Sequence, residues 1–237
     1  MDWPLVSVIV PARNAEQFIA EALQSIVDQD YDSLDVIVID GGSTDSTRAI
    51  AESFGTVRCI PQEGTGIPDA WNLGIDAARG DFLAFLSADD RWTEDKLARQ
   101  VKYMLDRPSL LYTITKFRYF LGPDGVIPRS FNPKLLNRVL VGRIMETLLA
   151  RRAAFEIVGR LDTSLSLPHD VDWYARAKDL DIPMAILDEV LRFKRIHSGN
   201  ASADAELNTP ALLEVLHRSV RRQRANAPGA TKPASDV

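Results

Sequence analysis

The chain has 237 residues, a formal net charge of −5 and one cysteine. That length suits one medium domain, the acidic balance argues against a general nucleic-acid binder, and a lone cysteine excludes an internal disulfide. Hydrophobic residues make up 46% and charged residues 26%, enough to bury a sizeable core and too apolar for a disordered chain.

Asp2 and Pro4 interrupt the start, so no secretory leader is expected, and no run of about 18 apolar residues offers a membrane span. The expected setting is the cytoplasm. Residues 6–10 (VSVIV) form a β-branched run that stops at Pro11. Ala12, Arg13 and Asn14 read as a turn, and 15–27 carries Phe18, Ile19, Leu23, Ile26 and Val27 at helical spacing. A second buried strand at 36–39 ends in Asp40-Gly41-Gly42-Ser43, followed by a helix over 44–54. A third strand spans 57–60. Gly64-Thr65-Gly66 breaks the chain, and 68–78 reads as a helix. The glycines do not form a dinucleotide fingerprint, because the third is absent and no strand leads into them.

Residues 80–92, GDFLAFLSADDRW, organise what precedes and follows. The apolar run 82–86 has the length of a buried strand. Ser87, Ala88, Asp89 and Asp90 close it, and a helix opens near Thr93. Strand, turn and helix thus alternate through residue 105, the pattern of a parallel, doubly wound sheet. In such sheets ligands bind beyond the carboxyl ends of the strands.

After 105 the rhythm changes. A strand is expected over 110–120, helical pieces within 134–158, a loop over 161–168 and a helix over 170–180. Two strands follow at 184–187 and 190–196. A helix runs over 210–224, with an Ala-, Pro- and Ser-rich tail expected to be disordered from 225. Arg218, Arg221, Arg222 and Arg224 crowd that helix. They fit a helix end docked on the domain or peripheral contact with the inner face of an anionic membrane.

The motifs VSVIVPARN, VIVIDGGSTDST, GIPDAWNLGIDAARGDFLAFLSADD and HDVDWYARA, in this order, resemble those of family 2 glycosyltransferases with the GT-A fold, over residues 5–202. The resemblance implies an α/β fold with a Rossmann-like, mostly parallel sheet and helices on both faces. It implies a nucleotide-sugar-binding half at 1–105 and an acceptor-side half at 106–209, with the helix and tail at 210–237. The implied reaction is metal-dependent, inverting transfer of a sugar, UDP-linked, to the hydroxyl of a carbohydrate, lipid-linked or other acceptor.

The resemblance also assigns roles. Pro11, Ala12, Arg13 and Asn14 would wall the nucleotide pocket, and Asp40 would meet the base, although Asp-Gly is a turn signal by itself. Asp69 and Asn72 stand where the family carries Ala-Arg-Asn contacts, the Arg being replaced by Trp71. Ser87, Ala88 and Asp89 match the Asp-x-Asp region, with Ser87 in place of the first acid and Asp89 as ligand to Mg²⁺ or Mn²⁺. Asp90 would cap the next helix. His197 would complete the metal site or touch the diphosphate, and as an alternative is a loop histidine without a role. Arg192, Lys194 and Arg195 would add charge that a diphosphate welcomes. Asp170 would be the general base, His169 standing where the family has Glu, and it also fits a helix N-cap. Glu146 and Thr147 resemble the acceptor-side region. Arg151 and Arg152 fit either an anionic acceptor or a solvated face. Rival readings are a non-catalytic nucleotide-sugar binder and a nucleotidyltransferase. The latter lacks its Gly-rich phosphate loop here.

Overall fold

A computed structural model describes residues 3–123, 125–129, 131–165, 168–198 and 209–226. Of the tail expected from 225, Ala225 and Asn226 still belong to the last helix, and the rest lies outside the described residues. Strand β1 (Val6–Ala12) pairs in parallel with β2 (Leu34–Asp40) on one side and β4 (Phe82–Phe85) on the other. Strand β3 (Val57–Pro61) extends the sheet beyond β2, also in parallel. Helices α1 (Ile19–Val27), α2 (Thr47–Ser53) and α3 (Ile67–Ala77) connect these strands.

The second half continues the same sheet with mixed direction. Strand β8 (Leu149–Arg151) pairs antiparallel with both β4 and β6 (Tyr112–Leu121). Beyond β6 come β9 (Met184–Ile196), parallel to it, and the short β5 (Arg91–Trp92) at the edge. Strand β7 (Leu140–Val141) pairs with β6 off this path. Helix α4 (Lys96–Leu105) precedes β6. Helices α5 (Arg152–Val158), α6 (His169–Asp179) and α7 (Thr209–Asn226) complete the chain.

Side chains alternate across a strand, so β1 feeds two cores. Val6, Val8 and Val10 meet Leu23, Ile26, Leu97 and Val101 on one face. Ile9 meets Trp71, Ile75, Phe155 and Trp173 on the other. Helix α3 presses close to β1 because Gly74 has no side chain; a Cβ there would lie 2.2 Å from Cγ2 of Ile9.

The helical pieces expected within 134–158 are a turn over Pro133–Leu135, a turn over Met145–Thr147 and α5, with the unannounced strands β7 and β8 between them. Two expectations change. The two late strands are one, β9, whose ladder with β6 shifts register between Ile114 and Lys116 and again at Phe117. Helix α4 takes Asp95, not Asp90, at its N-cap.

Helix α7 docks on α6. Ser219, Arg222 and Gln223 converge on the carboxylate of Asp179, Arg218 pairs with Asp162 at 2.8 Å, and Val215 is fully buried. Leu212, Leu213, Leu216 and Val220 stay exposed.

Candidate active site

The carboxyl ends of β1, β2, β3 and β4 surround a cavity of about 430 Å³. Pro11, Ala12, Arg13 and Asn14 form one wall, Gly41 and Gln62 the side, Gly64 to Ile67 the rim, and Ser87, Ala88 and Asp89 the floor; Phe18 and His197 close it. The turn after β1 is stitched to the turn after β2. The Asn14 backbone N–H donates to Ser43 Oγ at 3.0 Å, and the Thr44 N–H donates to Asn14 Oδ1 at 2.9 Å. Asn14 itself has φ of +49°, a left-handed conformation that asparagine tolerates.

Eight of the residues assigned from the sequence line this cavity; Asp40, Asp69, Asn72 and the base candidate Asp170 do not. Asp40 is buried beneath it and accepts the Ser43 N–H at 3.1 Å, the work of a turn aspartate. Asp69 accepts from Gln62 Nε2 at 3.2 Å and packs against Gly64, where any Cβ would collide with its carboxylate. Asn72 is a correction of a plainer kind. Its amide exchanges two hydrogen bonds with the backbone of Leu161, at 2.9 and 3.0 Å, and so joins α3 to the second half of the chain.

Asp89 Oδ2 lies 3.1 Å from Nε2 of His197, and Arg195 Nε donates to the Asp89 carbonyl at 2.8 Å. The His197 ring packs on Phe18 with centroids 4.5 Å apart. Among the described residues no group of three or more His, Cys, Asp or Glu side chains could hold a metal ion. The cavity thus offers a hard cation one carboxylate and one imidazole, and most of its positions would fall to phosphate oxygens and water.

Below the floor lies a second, charged cluster. Ser87 Oγ donates to Glu146 Oε1 at 2.6 Å, and Arg192 lies 3.5 Å from the same oxygen. Arg192 is fully buried, pairs with Asp90, and stacks 5.4 Å from the Phe117 ring centroid. Burial disfavours its charge, but Asp90 and Glu146 outweigh burial and push its pKa up. Burial raises the Asp90 carboxyl against the pull of Arg192. For Glu146 the balance is reversed: burial acts upward, while Arg192, Lys194 and the Ser87 hydroxyl hold it at about 2.

Asp170 stands in the first turn of α6 and is not its N-cap, a position that Pro168 takes because the helix begins one residue earlier, at His169. Burial, then the Glu146 charge, raises its pKa to about 7. It also accepts the Val171 N–H at 2.7 Å. The turn that carries Glu146 is clamped on both sides, by Tyr174 Oη donating to the Ile144 carbonyl at 3.0 Å and by Gln100 Nε2 reaching the Thr147 carbonyl at 3.3 Å. Asp172 points away from the site and binds Arg176 at 2.8 Å.

Several basic residues are corrected. Arg192 and Arg195 are buried in internal contacts, Arg195 with Glu21 and the Asp89 carbonyl, so neither is a loose diphosphate anchor. Arg151 binds the carbonyls of Leu110 and Met104, and Arg152 those of Ala78 and Gly80. Both are half-buried ties between chain segments, neither a solvated face nor an acceptor contact. Glu146, which the resemblance placed only in the acceptor-side region, proves to reach the cavity floor through Ser87. Its one signal was indirect: Ser87 stands where an acid was expected, and a carboxylate from elsewhere reaches it.

A family model described as "Glycosyl transferase family 2" matches residues 7–158. An uncharacterized glycosyltransferase of Rickettsia typhi is 31% identical over 220 residues, covering 85% of this chain and 67% of the relative. A putative teichuronic acid biosynthesis glycosyltransferase of Bacillus subtilis is 36% identical over 130 residues, 52% of this chain and 51% of that protein. Among solved structures, S. aureus TarS 1–349 in complex with UDP-GlcNAc superposes with a TM-score of 0.74 at 22% identity, over 95% of this chain and 68% of that one. A Pyrobaculum calidifontis mannosyltransferase in complex with GDP-Man and Mn²⁺ gives 0.67 at 22% identity, over 98% and 66%. At such identity the structural likeness speaks for the fold, the GT-A arrangement of mixed sheet and helices. The family match covers the β1 to α5 stretch that builds the cavity, and the chain belongs to glycosyl transferase family 2 and is a glycosyltransferase.

Proposed function

We propose that the chain moves a sugar from a UDP-linked donor to an acceptor hydroxyl with inversion at the anomeric carbon. The observation that carries this reading is the layering behind the cavity: Asp89 faces it, and Glu146, bonded to Ser87 of its floor, stands close enough to Asp170 for its charge to act there. Asp89 opens into the cavity beside His197, and recessed Asp170 is tuned to about 7. Asp170 takes the proton of the acceptor hydroxyl, the acceptor oxygen bonds to the anomeric carbon, and the bond from that carbon to the diphosphate breaks. A base tuned near neutrality combines a useful ionised fraction with real basicity. Asp89 and His197 would hold Mg²⁺ or Mn²⁺, which when bound stabilises charge on the leaving diphosphate. Pro11 to Asn14 wall the nucleotide, and Asp40, Asp69 and Asn72 support the turns and helix around it. The UDP-GlcNAc of TarS and the GDP-Man of the mannosyltransferase accord with a nucleotide-sugar donor. The choice of UDP rests on the family resemblance.

Two outcomes test this. UDP with Mn²⁺ is expected to raise the melting temperature, by mass action on the folded state, while GDP leaves it unmoved. Asp89→Ala is expected to abolish metal-dependent UDP binding by calorimetry, and unchanged binding would remove the metal assignment.

Glu146 acts here as a positioning residue whose charge sets the basicity of Asp170. In Glu146→Gln the upward push on Asp170 is gone, so the acid limb of the rate profile should move to lower pH. A limb that stays in place would detach Glu146 from the base.

A further inference from the structure

The stretch between β6 and the Glu146 turn has a composition unlike the rest of the chain. Residues 116–143 carry six Lys and Arg side chains against one acid, Asp124, in a protein of net charge −5. Lys116 is paired with Asp188. Arg118, Arg129, Lys134, Arg138 and Arg143 are exposed, and none pairs with a carboxylate among the described residues. Among these cations stand aliphatic side chains facing water: Leu121, Val126, Ile127, Val139 and Val141 are between 37% and 50% exposed.

We infer that residues 116–143 form a docking surface for an anionic bilayer, which presents the acceptor to the Asp170 side of the site. The inference rests on the transfer reaction proposed above. The charge complementarity is direct, since headgroup phosphates attract a polybasic surface that the rest of this acidic protein would repel. The aliphatic side chains choose a bilayer over a soluble anionic polymer. A polymer rewards the cations alone, whereas a lipid surface also receives apolar side chains at its headgroup boundary. Placement supports the same assignment. Phe117 at the start of the stretch lies against Arg192, and Arg143 at its end leads by three residues into Glu146. Both ends are thus anchored at the carboxylate cluster. Helix α7 is the weaker surface, because Arg218 and Arg222 are already spent on Asp162, Glu214 and Asp179.

Co-sedimentation of the full chain with vesicles of phosphatidylcholine, with and without phosphatidylglycerol, tests the surface. Binding is expected only with phosphatidylglycerol, and is expected to fade as salt shortens the reach of the charges. Lys134→Glu/Arg138→Glu should weaken it roughly tenfold or more. Ile127→Asp should weaken it without altering the melt. Arg221→Glu/Arg224→Glu should leave it intact. No binding to anionic vesicles, equal binding by the Lys134/Arg138 variant, or loss in the α7 variant alone would overturn the inference. So would displacement from vesicles by a soluble poly(glycerol phosphate) that binds the Ile127→Asp variant as tightly as the parent. UDP release to water, measured without vesicles, separates the two levels. If it persists while vesicle binding is absent, only the surface fails; if it is absent, the transfer reading fails.

Discussion

Asp170→Asn is expected to cut turnover by roughly 10²-fold or more while leaving donor affinity unchanged. The amide keeps the size of the carboxyl and still accepts the Val171 N–H, but it cannot take the acceptor's proton. Turnover of the parent enzyme should rise with pH through an apparent pKa of about 7, since only ionised Asp170 acts as base. A second readout separates a base from an acid that serves only the helix dipole. The folded state raises this pKa above the unfolded value of about 3.9, so it holds a proton that the unfolded chain has lost between those limits. Stability linked to this group is present below about 4 and is lost as pH rises through about 7. The Asn variant carries no such burden and should melt higher than the parent at pH 8, with a smaller difference at pH 5. A first-turn acid of that kind would give the opposite result, because replacing its charge near a helix N-terminus costs stability. Near-parental turnover with a lowered melting temperature would leave Asp170 as a first-turn acid serving the helix dipole alone.

Arg192→Leu is expected to destabilise the fold by about 3–5 kcal/mol, the usual cost of stripping one partner from a buried ion pair. The guanidinium is fully buried between Asp90 and Glu146, and its Nε and Nη1 have no hydrogen-bond partner among the described residues. It therefore acts chiefly through charge, and leucine removes that charge. For a domain of this size such a loss lowers the melting temperature by roughly 10 °C. The penalty should shrink in acid, where Asp90 takes up a proton and no longer needs a cation. A companion Asp90→Leu/Arg192→Leu variant removes both members and should recover part of the loss, since the main cost is an uncompensated charge. If the double variant is no better than the single one, the pair is a packing element and the electrostatic account is wrong.

Strands β1, β2 and β4 were legible because they are buried on both faces and read as apolar runs closed by turn residues, as in VSVIV before Pro11 and VIVI before Asp40, while the half-buried edge strand β3 was legible from its place in the strand–helix alternation. The cavity walls followed from them, since strand ends in such a sheet face the ligand. The strands within 134–158 were not legible. Three residues of β8 lie between β4 and β6, and what makes them a strand is two neighbours distant in sequence, not any local pattern. Asp90 misled for the complementary reason. Adjacent acids before Thr93 make a sound local cap signal, but Arg192, 102 residues away, claims the side chain. Glu146 was hidden in the same way, because its contacts with Ser87 and Arg192 exist only once both halves have met.

The pairing of β6 with β9 has a kinetic consequence. Tyr112 meets Met184 across a parallel ladder, so the chain between them must close a long loop before that pairing yields anything. Non-local parallel contacts slow folding, because loop-closure entropy is spent before they form. The β1–β2 and β2–β3 ladders close much shorter loops, Val6 meeting Leu34 and Val36 meeting Val57, whereas β1–β4, with Val6 against Phe82, closes one as long as that of β6–β9. Amides of the β1–β2 and β2–β3 ladders should therefore gain exchange protection first, and UDP binding, which needs Asp89 beyond β4 and His197 beyond β9, should return only with the late pairings.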